Sequence, residues 1–388
     1  MMLDGRLRLL QRHAREWARE LRPHALAVDR DAAALTPLLS LPAVALAAPL
    51  QVPPEYSDRP VRIDGVRFHV TGALERAVWC EEIAWGDLGI GLASPGASMA
   101  GALVDMLGSR AQQRWFYERV QEEPTWTFFG LTEEHAGSDP GSMRSVLTTV
   151  GDDRLLLSGA KRYVSNAVRA RLGVVFARTA PGPFGIDAVL VEAGAPGFRA
   201  RPLSTIGVRG AQLGEITLSG VEVRADQVLG VDVPRFRRAV RGWRRALNLL
   251  RPTVAAMAVG LARAAREYVT EHRRSLSATE RARLDRMDCE IECARAMTLS
   301  VAMRMDGDPD AGYLASAAKQ RAARLAAEVT RAALGFFGNS ARLEHPLLDK
   351  LARDALGVQF MEGAGDIHRL NVGGALVRRS FHPGDALE

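Results

Sequence analysis

Lysine is nearly absent. Only Lys161, Lys319 and Lys350 occur in 388 residues, although lysine and arginine together number 51. The net charge of +6 therefore rests almost wholly on arginine, a bias that fits a GC-rich coding sequence rather than a binding task. Cysteine is equally scarce: Cys80, Cys289 and Cys293 make an odd count in a long chain, which argues against a disulfide framework. Cys289 and Cys293 lie four apart on an expected helix, the spacing of half a metal site. No other ligands stand in recognisable spacing nearby, so both are expected in the core and no metal is expected. No apolar run reaches the roughly 20 residues that a bilayer span needs. Residues 35–50 come nearest, and Pro37, Pro42 and Pro49 break them into packed loop and short helix. The Arg-rich N-terminus lacks a long apolar core, so no signal peptide is expected and a cytoplasmic location follows as the default. A G-x-G-x-x-G fingerprint after a strand is missing, which disfavours a Rossmann domain.

What is present is an ordinary globular composition, 47% hydrophobic and 25% charged, in a chain long enough for two or three domains. Residues 1–124 read as helical: Leu7, Leu10, Ala14, Trp17 and Leu21 recur at helical spacing, and residues 74–85 and 107–121 are amphipathic. Residues 125–234 change to short β-rich runs punctuated by turn pairs such as Asp152-Asp153 and Pro181-Gly182. Several short strands at regular spacing predict an antiparallel sheet or barrel. Residues 235–388 turn helical again, with long apolar-faced segments at 254–269, 282–305 and 314–329 suited to a four-helix bundle. The fold class expected is α+β: an N-terminal helical domain, a central antiparallel β domain and a C-terminal bundle. Arg235, Arg237, Arg238, Arg241, Arg244 and Arg245 fall at helical spacing and form a basic face, either a solvated surface or a dock for an anionic partner such as an acidic carrier protein. Nucleic acid is disfavoured, because no binding module or interleaved aromatics accompany the charge.

The most informative run is GLTEEHAGSD, residues 130–139. It sets a hydroxyl, Thr132, just past an apolar strand carrying Trp126, Phe128, Phe129 and Leu131, then breaks into small residues. Such a turn lets backbone N–H groups and short hydroxyls come close to a ligand. GAKRYVSN, residues 159–166, places an aromatic, Tyr163, two positions before a hydroxyl, Ser165. The two runs resemble the T-E-x-x-A-G-S-D and W-[IV]-[TS]-N segments of the acyl-CoA dehydrogenase family. Further blocks follow in the family's order: CEEIAWGDLGIGLA, LGSRAQQRWF, IGVRGAQLGEITLSGVEV, LLRPTVAAMAVGLARAA and HPLLDKLARDALGVQFMEGAGDIHR.

The resemblance implies FAD as cofactor and removal of two hydrogens across Cα–Cβ of an acyl thioester, the α-proton to a carboxylate and the β-hydrogen as hydride to flavin N5. Glu362 matches the family's glutamate base; its neighbours Phe360, Met361, Gly363 and Ala364 are apolar or small, as a desolvated carboxylate requires. Leu250 stands before Arg251, so the alternative position for the base is closed; Arg251 matches the arginine near the base, and Asn248 shares its helix face and is expected to touch substrate. Thr132 and Ser165 match the hydroxyls at the flavin ring, Tyr163 replaces the tryptophan that covers one ring face, and Ser138 matches the serine shared by thioester and flavin phosphate. Phe129, Leu131, Gly137, Val164 and Gly363 are expected to complete the cofactor wall.

Several positions depart from the family pattern. The loop EHRRSLSATER, residues 271–281, is shorter than in relatives, with Arg273 or Arg274 as stand-ins for an arginine that reaches a neighbouring subunit's FAD. Phe336 and Phe337 stand where close backbone approach to the cofactor is expected, and Ala364 and Gly365 remove two hydroxyls after the Glu-Gly pair. Glu134-His135 fills positions usually held by Pro-Gly, with His135 a candidate substrate contact. The resemblance implies a homodimer or homotetramer and an electron-transferring flavoprotein as acceptor. The acyl thioester would be of CoA or, given the drift, of an acyl-carrier protein. Two other readings are a flavin monooxygenase on the same fold, which Glu362 argues against, and a non-catalytic partner subunit.

Overall fold

The structure is a computed structural model that describes residues 3–182, 184–234 and 243–378. They fall into two compact units, the first of residues 3–71 and 86–246, the second of residues 72–85 and 247 onward. The cationic residues Arg235, Arg237, Arg238 and Arg241 lie outside the described residues.

The first unit begins with α1 (Gly5–Leu21), which buries Leu7, Leu10, Ala14, Ala18 and Leu21 and is capped by Asp4, whose Oδ1 accepts from Leu7 N at 2.7 Å. After α2 (Ala25–Arg30), the proline-broken apolar stretch makes only short turns, including α3 (Pro42–Ala45) and α4 (Ala47–Leu50). A small antiparallel hairpin then interrupts a region expected to be wholly helical. Strands β1 (Val61–Ile63) and β2 (Val66–Phe68) are joined by Asp64-Gly65, whose φ angles of 48° and 80° suit the two-residue turns that match strand twist.

Helix α5 (Ala73–Ala93) is broken at Asp87, whose φ of −163° is extended; its residues to Trp85 belong to the second unit. The break is a built restart: Asp87 Oδ1 accepts from Ile90 N at 2.8 Å and so caps the following turn inside the protein. Helices α6 (Ser98–Leu107) and α7 (Arg110–Glu122) follow, the latter opened by a Ser109/Gln112 capping box. Gln112 Nε2 also donates to Asp226 O and Val228 O at 2.7 and 3.0 Å, tying α7 to the end of the sheet.

The sheet contains β3 (Thr127–Gly130), β4 (Val146–Thr149), β5 (Arg154–Val164), β6 (Leu172–Arg178), β7 (Ile186–Glu192), β8 (Phe198–Pro202) and β9 (Gly214–Arg224), in the order β3-β6-β4-β5-β9-β8 with β7 on β6. Most pairs are antiparallel, as the short turn-linked runs predict. The exception is the edge of β6 away from β7, where β3 pairs parallel along residues 172–175 and β4 only at Val146–Arg178. The β4–β5 hairpin is the excursion that lets β3 and β6 run the same way. Strand β6 is consequently covered on both faces. Val174 and Phe176 pack with Leu103, Val104, Phe116 and Val120 of α6 and α7, while Val175 and Ala177 pack with Leu157, Ile216 and Val221.

The second unit is helical: α8 (Trp243–His272), α9 (Ala278–Gly307), α10 (Gly312–Leu334), α11 (Ala341–Glu344), α12 (Pro346–Val358) and α13 (Gly365–Val377). Helix α10 packs on α9, α12 and α13 with an alanine-rich face, including Ala315, Ala318, Ala322 and Ala326, whose small side chains permit close helix approach. Helix α8 meets the first half of α5 at Gly260, where a Cβ would fall 2.2 Å from Glu81 O. Burial raises the pKa of Glu81, and Arg263 and Arg295 oppose it, Arg295 Nε lying 2.8 Å from Glu81 Oε1. Cys289 and Cys293 are exposed on α9, not in the core: the spacing that put them on one helix face did not say which face. Burial pushes the Cys80 thiol up to about 12, so it is inert as a nucleophile. Among the described residues no group of three or more His, Cys, Asp or Glu is placed to hold a metal, and no helix is long and apolar enough to cross a membrane.

The break in α5 supplies a test of this reading. Asp87→Ala is expected to lower unfolding stability by about 1–2 kcal/mol, measured as a lower urea midpoint with helical circular dichroism retained; an unchanged midpoint would show that the cap is dispensable.

Candidate functional site

Both informative motifs lie in the first unit, and one buried ion pair brings them together. Lys161 on β5 is fully buried, and its Nζ lies 2.8 Å from Glu133 Oε1 and 3.2 Å from Leu131 O. Glu133 also accepts from Ser145 Oγ at 2.6 Å, Ser145 N at 2.9 Å and Arg144 N at 2.6 Å. Burial works against this carboxylate, yet the ammonium, the hydroxyl and the two N–H donors hold its pKa down to about 2. The turn after β3 is thereby pinned, and Arg162 N donates to Thr132 O at 2.8 Å, laying residues 131–133 beside 161–163. Close approach is possible because Gly130 lacks a side chain; a Cβ there would sit 3.2 Å from Lys161 Cγ.

Strand β5 then changes register between Arg162 and Val164, and the extra residue is Tyr163, with φ of 60°. A bulge re-aims one side chain, and here it leaves Tyr163 58% exposed, with the Arg162 guanidinium 5.5 Å from its ring centroid. Tyr163 is therefore not packed into the sheet core. Thr132, in the turn after β3, and Ser165, two residues past Tyr163, are half-buried, and Gly137 and Ser138 are exposed. Val164 is buried in the sheet core, so only its main chain is available to a ligand; Phe129 and Leu131 pack against the α6–α7 cluster. His135 is solvent-exposed beside Glu134. Asp139, which follows Ser138, caps the turn at Gly141 and accepts from Ser142; all three line a groove of about 1060 Å³ with Thr148, Thr179 and Arg178.

The other sequence-predicted residues come together in the second unit. Glu362 sits in the turn before α13 with φ of 50°, and Gly363 follows with φ of 113°. Glutamate in the left-handed region is held there by its surroundings. Arg251 Nε lies 3.3 Å from Glu362 O, and Arg251 Nη1 donates to Asn248 Oδ1 at 2.8 Å. Asn248 Nδ2 donates in turn to Pro309 O at 2.9 Å, so both ends of this buried amide are engaged in positioning Arg251. Glu362 is half-buried as a residue, but its Oε2 is out of reach of solvent with no hydrogen-bond partner. Burial pushes its pKa up to about 7, against the opposing pull of Lys319 and Arg251. Phe360, expected to help desolvate it, is itself 74% exposed.

Two residues that sequence reasoning missed complete this cluster. Lys319 on α10 donates to Gln359 O and Gly363 O, each at 2.8 Å. His368 Nε2 lies 2.9 Å from Gly363 O, and burial with Lys319 and Arg251 nearby lowers its pKa to about 3. A neutral ring facing a carbonyl must carry its proton on Nε2. The one available signal was the scarcity of lysine itself, which marked Lys319 as unusual without saying why.

The departures have specific outcomes. Arg273 is paired with Glu280 at 2.8 Å, within the α9 cap that Ser277 and Glu280 form. Phe336 is buried under the Arg283 guanidinium, and Phe337 packs on His345 with ring centroids 3.9 Å apart.

Comparison with known proteins decides the family. Residues 128–221 match the acyl-CoA dehydrogenase middle-domain model and residues 241–377 the acyl-CoA dehydrogenase C-terminal-domain model. The chain belongs to the acyl-CoA dehydrogenase family. Within that family it is 28% identical over 381 residues to the Mycobacterium tuberculosis protein named "Probable acyl-CoA dehydrogenase FadE25", covering 93% of this chain and 92% of that one. It is 29% identical over 311 residues to the short-chain-specific acyl-CoA dehydrogenase of Megasphaera elsdenii, covering 77% and 80%. The solved butyryl-CoA dehydrogenase of Megasphaera elsdenii superposes with a TM-score of 0.84 at 25% identity, covering 97% of this chain and all of that one. The prolyl acyl carrier protein oxidase AnaB shares the fold, with a TM-score of 0.82 at 20% identity.

Membership makes the chain an FAD-dependent dehydrogenase. The first unit fits a flat cofactor on an observation of its own: a bulge exposes the Tyr163 ring beside a turn pinned by a buried ion pair. Lys161→Met leaves Glu133 buried without its cation and is expected to cost about 3–5 kcal/mol at neutral pH, read by urea unfolding. The second unit yields a pH prediction. A folded-state pKa raised from 4.5 to about 7 gives stability at low pH that is lost as pH rises through that range. Glu362→Gln is therefore expected to raise the apoprotein's unfolding temperature above about pH 7 and to change it little near pH 4–5; a difference that does not vary with pH would show an ordinary surface glutamate, and the opposite trend one held as the carboxylate.

Proposed function

We propose that the chain removes the α-proton and β-hydride of an acyl thioester, with Glu362 as the base. The observation that carries this reading is the buried, unpartnered Oε2 of Glu362, held near neutrality by burial against two cations. A carboxylate of pKa about 7 is partly ionised at neutral pH and is a far stronger base than a solvated one. Arg251 and Asn248 fix the turn that presents it. In the first unit, Thr132, Ser165 and the Tyr163 ring would hold the flavin, with Phe129, Leu131, Gly137 and the Val164 main chain near it and Ser138 toward the thioester. FAD, when bound there, supplies the acceptor for the hydride. Hydroxyl and N–H donors suit a ring that gains electrons.

The substrate is an acyl thioester of CoA or of an acyl-carrier protein, and the natural electron acceptor is an electron-transferring flavoprotein. The drift at Phe336-Phe337 and Ala364-Gly365 supports the carrier-protein alternative, a biosynthetic role in which substrate recognition differs from that of fatty-acid oxidation.

Anaerobic titration of the flavin-loaded protein with butyryl-CoA and with a butyryl-carrier protein tests both levels of this reading. Flavin bleaching by one class identifies the carrier. Glu362→Gln is expected to slow bleaching by roughly 10²–10⁴-fold. Bleaching at the parent rate in that variant would remove Glu362 as the base, and failure to bind FAD would remove the enzymatic reading altogether.

A further inference from the structure

We propose that Lys319 is a positioning residue for the base: its buried ammonium fixes the left-handed turn that carries Glu362 and supplies that turn with a positive charge. The inference rests on the proposed role of Glu362.

The geometry distinguishes Lys319 from the other two lysines. Lys161 faces Glu133 at 2.8 Å and Lys350 faces Asp354 at 2.6 Å, both within buried ion pairs. Among the described residues, Lys319 pairs with no carboxylate within salt-bridge distance; its bonds go to two main-chain carbonyls, Gln359 O and Gly363 O. Those carbonyls bracket Glu362, one at the C-cap of α12 and the other just before α13 begins. A buried ammonium is costly unless its N–H bonds are satisfied. Here the satisfaction comes from the very turn that must hold a glutamate and a glycine at positive φ. Carbonyl 362 is meanwhile bound by Arg251 from α8, and carbonyl 363 receives a second donor, His368 Nε2 from α13. The charged groups that act on the carboxylate are Lys319 on α10 and Arg251 on α8; His368 on α13 meets the turn at Gly363 O, and burial keeps it neutral.

Removing the Lys319 charge leaves burial opposed by Arg251 alone, so the carboxylate should keep its proton to higher pH. A purely structural lysine would alter stability without moving that titration.

Two readouts test this. In the apoprotein, the difference in unfolding temperature between the parent and Glu362→Gln should inflect near pH 7 and, in a Lys319→Met background, about one pH unit or more higher. In the flavin-loaded enzyme, the acid limb of the bleaching rate against pH should move in the same direction, and the lost rate should return near pH 9. Lys319→Arg, which keeps the charge, should hold both inflections near those of the parent. If Lys319→Met does not fold, Lys319→Gln carries the same test. Unmoved inflections in the neutral variants, or equal shifts in the neutral and arginine variants, would overturn the proposal. Failure of the underlying reading looks different: Glu362→Gln would then bleach as fast as the parent, whatever stands at position 319.

Discussion

A buried ammonium ion must have its N–H bonds satisfied by fixed oxygens, and that requirement organises both turns that matter here. The chain uses arginine almost everywhere a cation meets water, yet its three lysines are 0–1% exposed. Arginine's broad planar fork needs room and several acceptors, whereas an ammonium is a compact charge on a slender stem that can reach a single point in a packed interior. Lys161 reaches the turn after β3, Lys319 the turn before α13, and Lys350 a partner one helical turn along α12. Without Lys161 the segment that carries Thr132 and Ser138 would lose its buried charged tie to β5 and keep only bonds from Arg162. Without Lys319 the carbonyl of Gln359 would lose this donor and that of Gly363 would keep only His368.

The same side chain plays opposite parts in the two turns, and the number of donors decides which. Glu133 collects an ammonium, a hydroxyl and two backbone N–H groups, so burial cannot protonate it and it serves as a permanent anion within the wall. Glu362 is desolvated as well, but its Oε2 has no donor, and the nearby cations act on it only through their charge. Its proton affinity rises to the range where a base works at neutral pH. Two glutamates, one structural and one poised, thus follow from hydrogen-bond accounting rather than from different chemistry.

Much of this was legible in the sequence. The long helices α8, α9 and α10 followed from 3.6-residue apolar periodicity, and the sheet from short runs divided by turn pairs, because burial of one face imposes those periods directly. The Asp64-Gly65 hairpin had its signal in plain view, a DG pair flanked by Val and Ile, and was lost within a helical reading of the region. The break at Asp87 is invisible to periodicity because apolar residues continue across it. The motif residues were readable as types, but not their environments: Phe360 stands two residues before Glu362 yet is mostly exposed. Lys319 and His368 were unreadable because their roles exist only after α10 and α13 pack around the turn. Exposure of Cys289 and Cys293 failed for a similar reason, since spacing fixes a shared face and tertiary packing chooses its direction.

Burial outweighs two neighbouring cations and keeps Glu362 protonated until near neutral pH. Infrared difference spectra between the parent protein and Glu362→Gln, recorded across the pH range, read that carboxyl group directly. The expected result is a protonated-carboxyl band attributable to Glu362 that persists through about pH 6 and is replaced by a carboxylate band around pH 7. A carboxylate already fully formed near pH 5, as for a solvated glutamate, would contradict the claim.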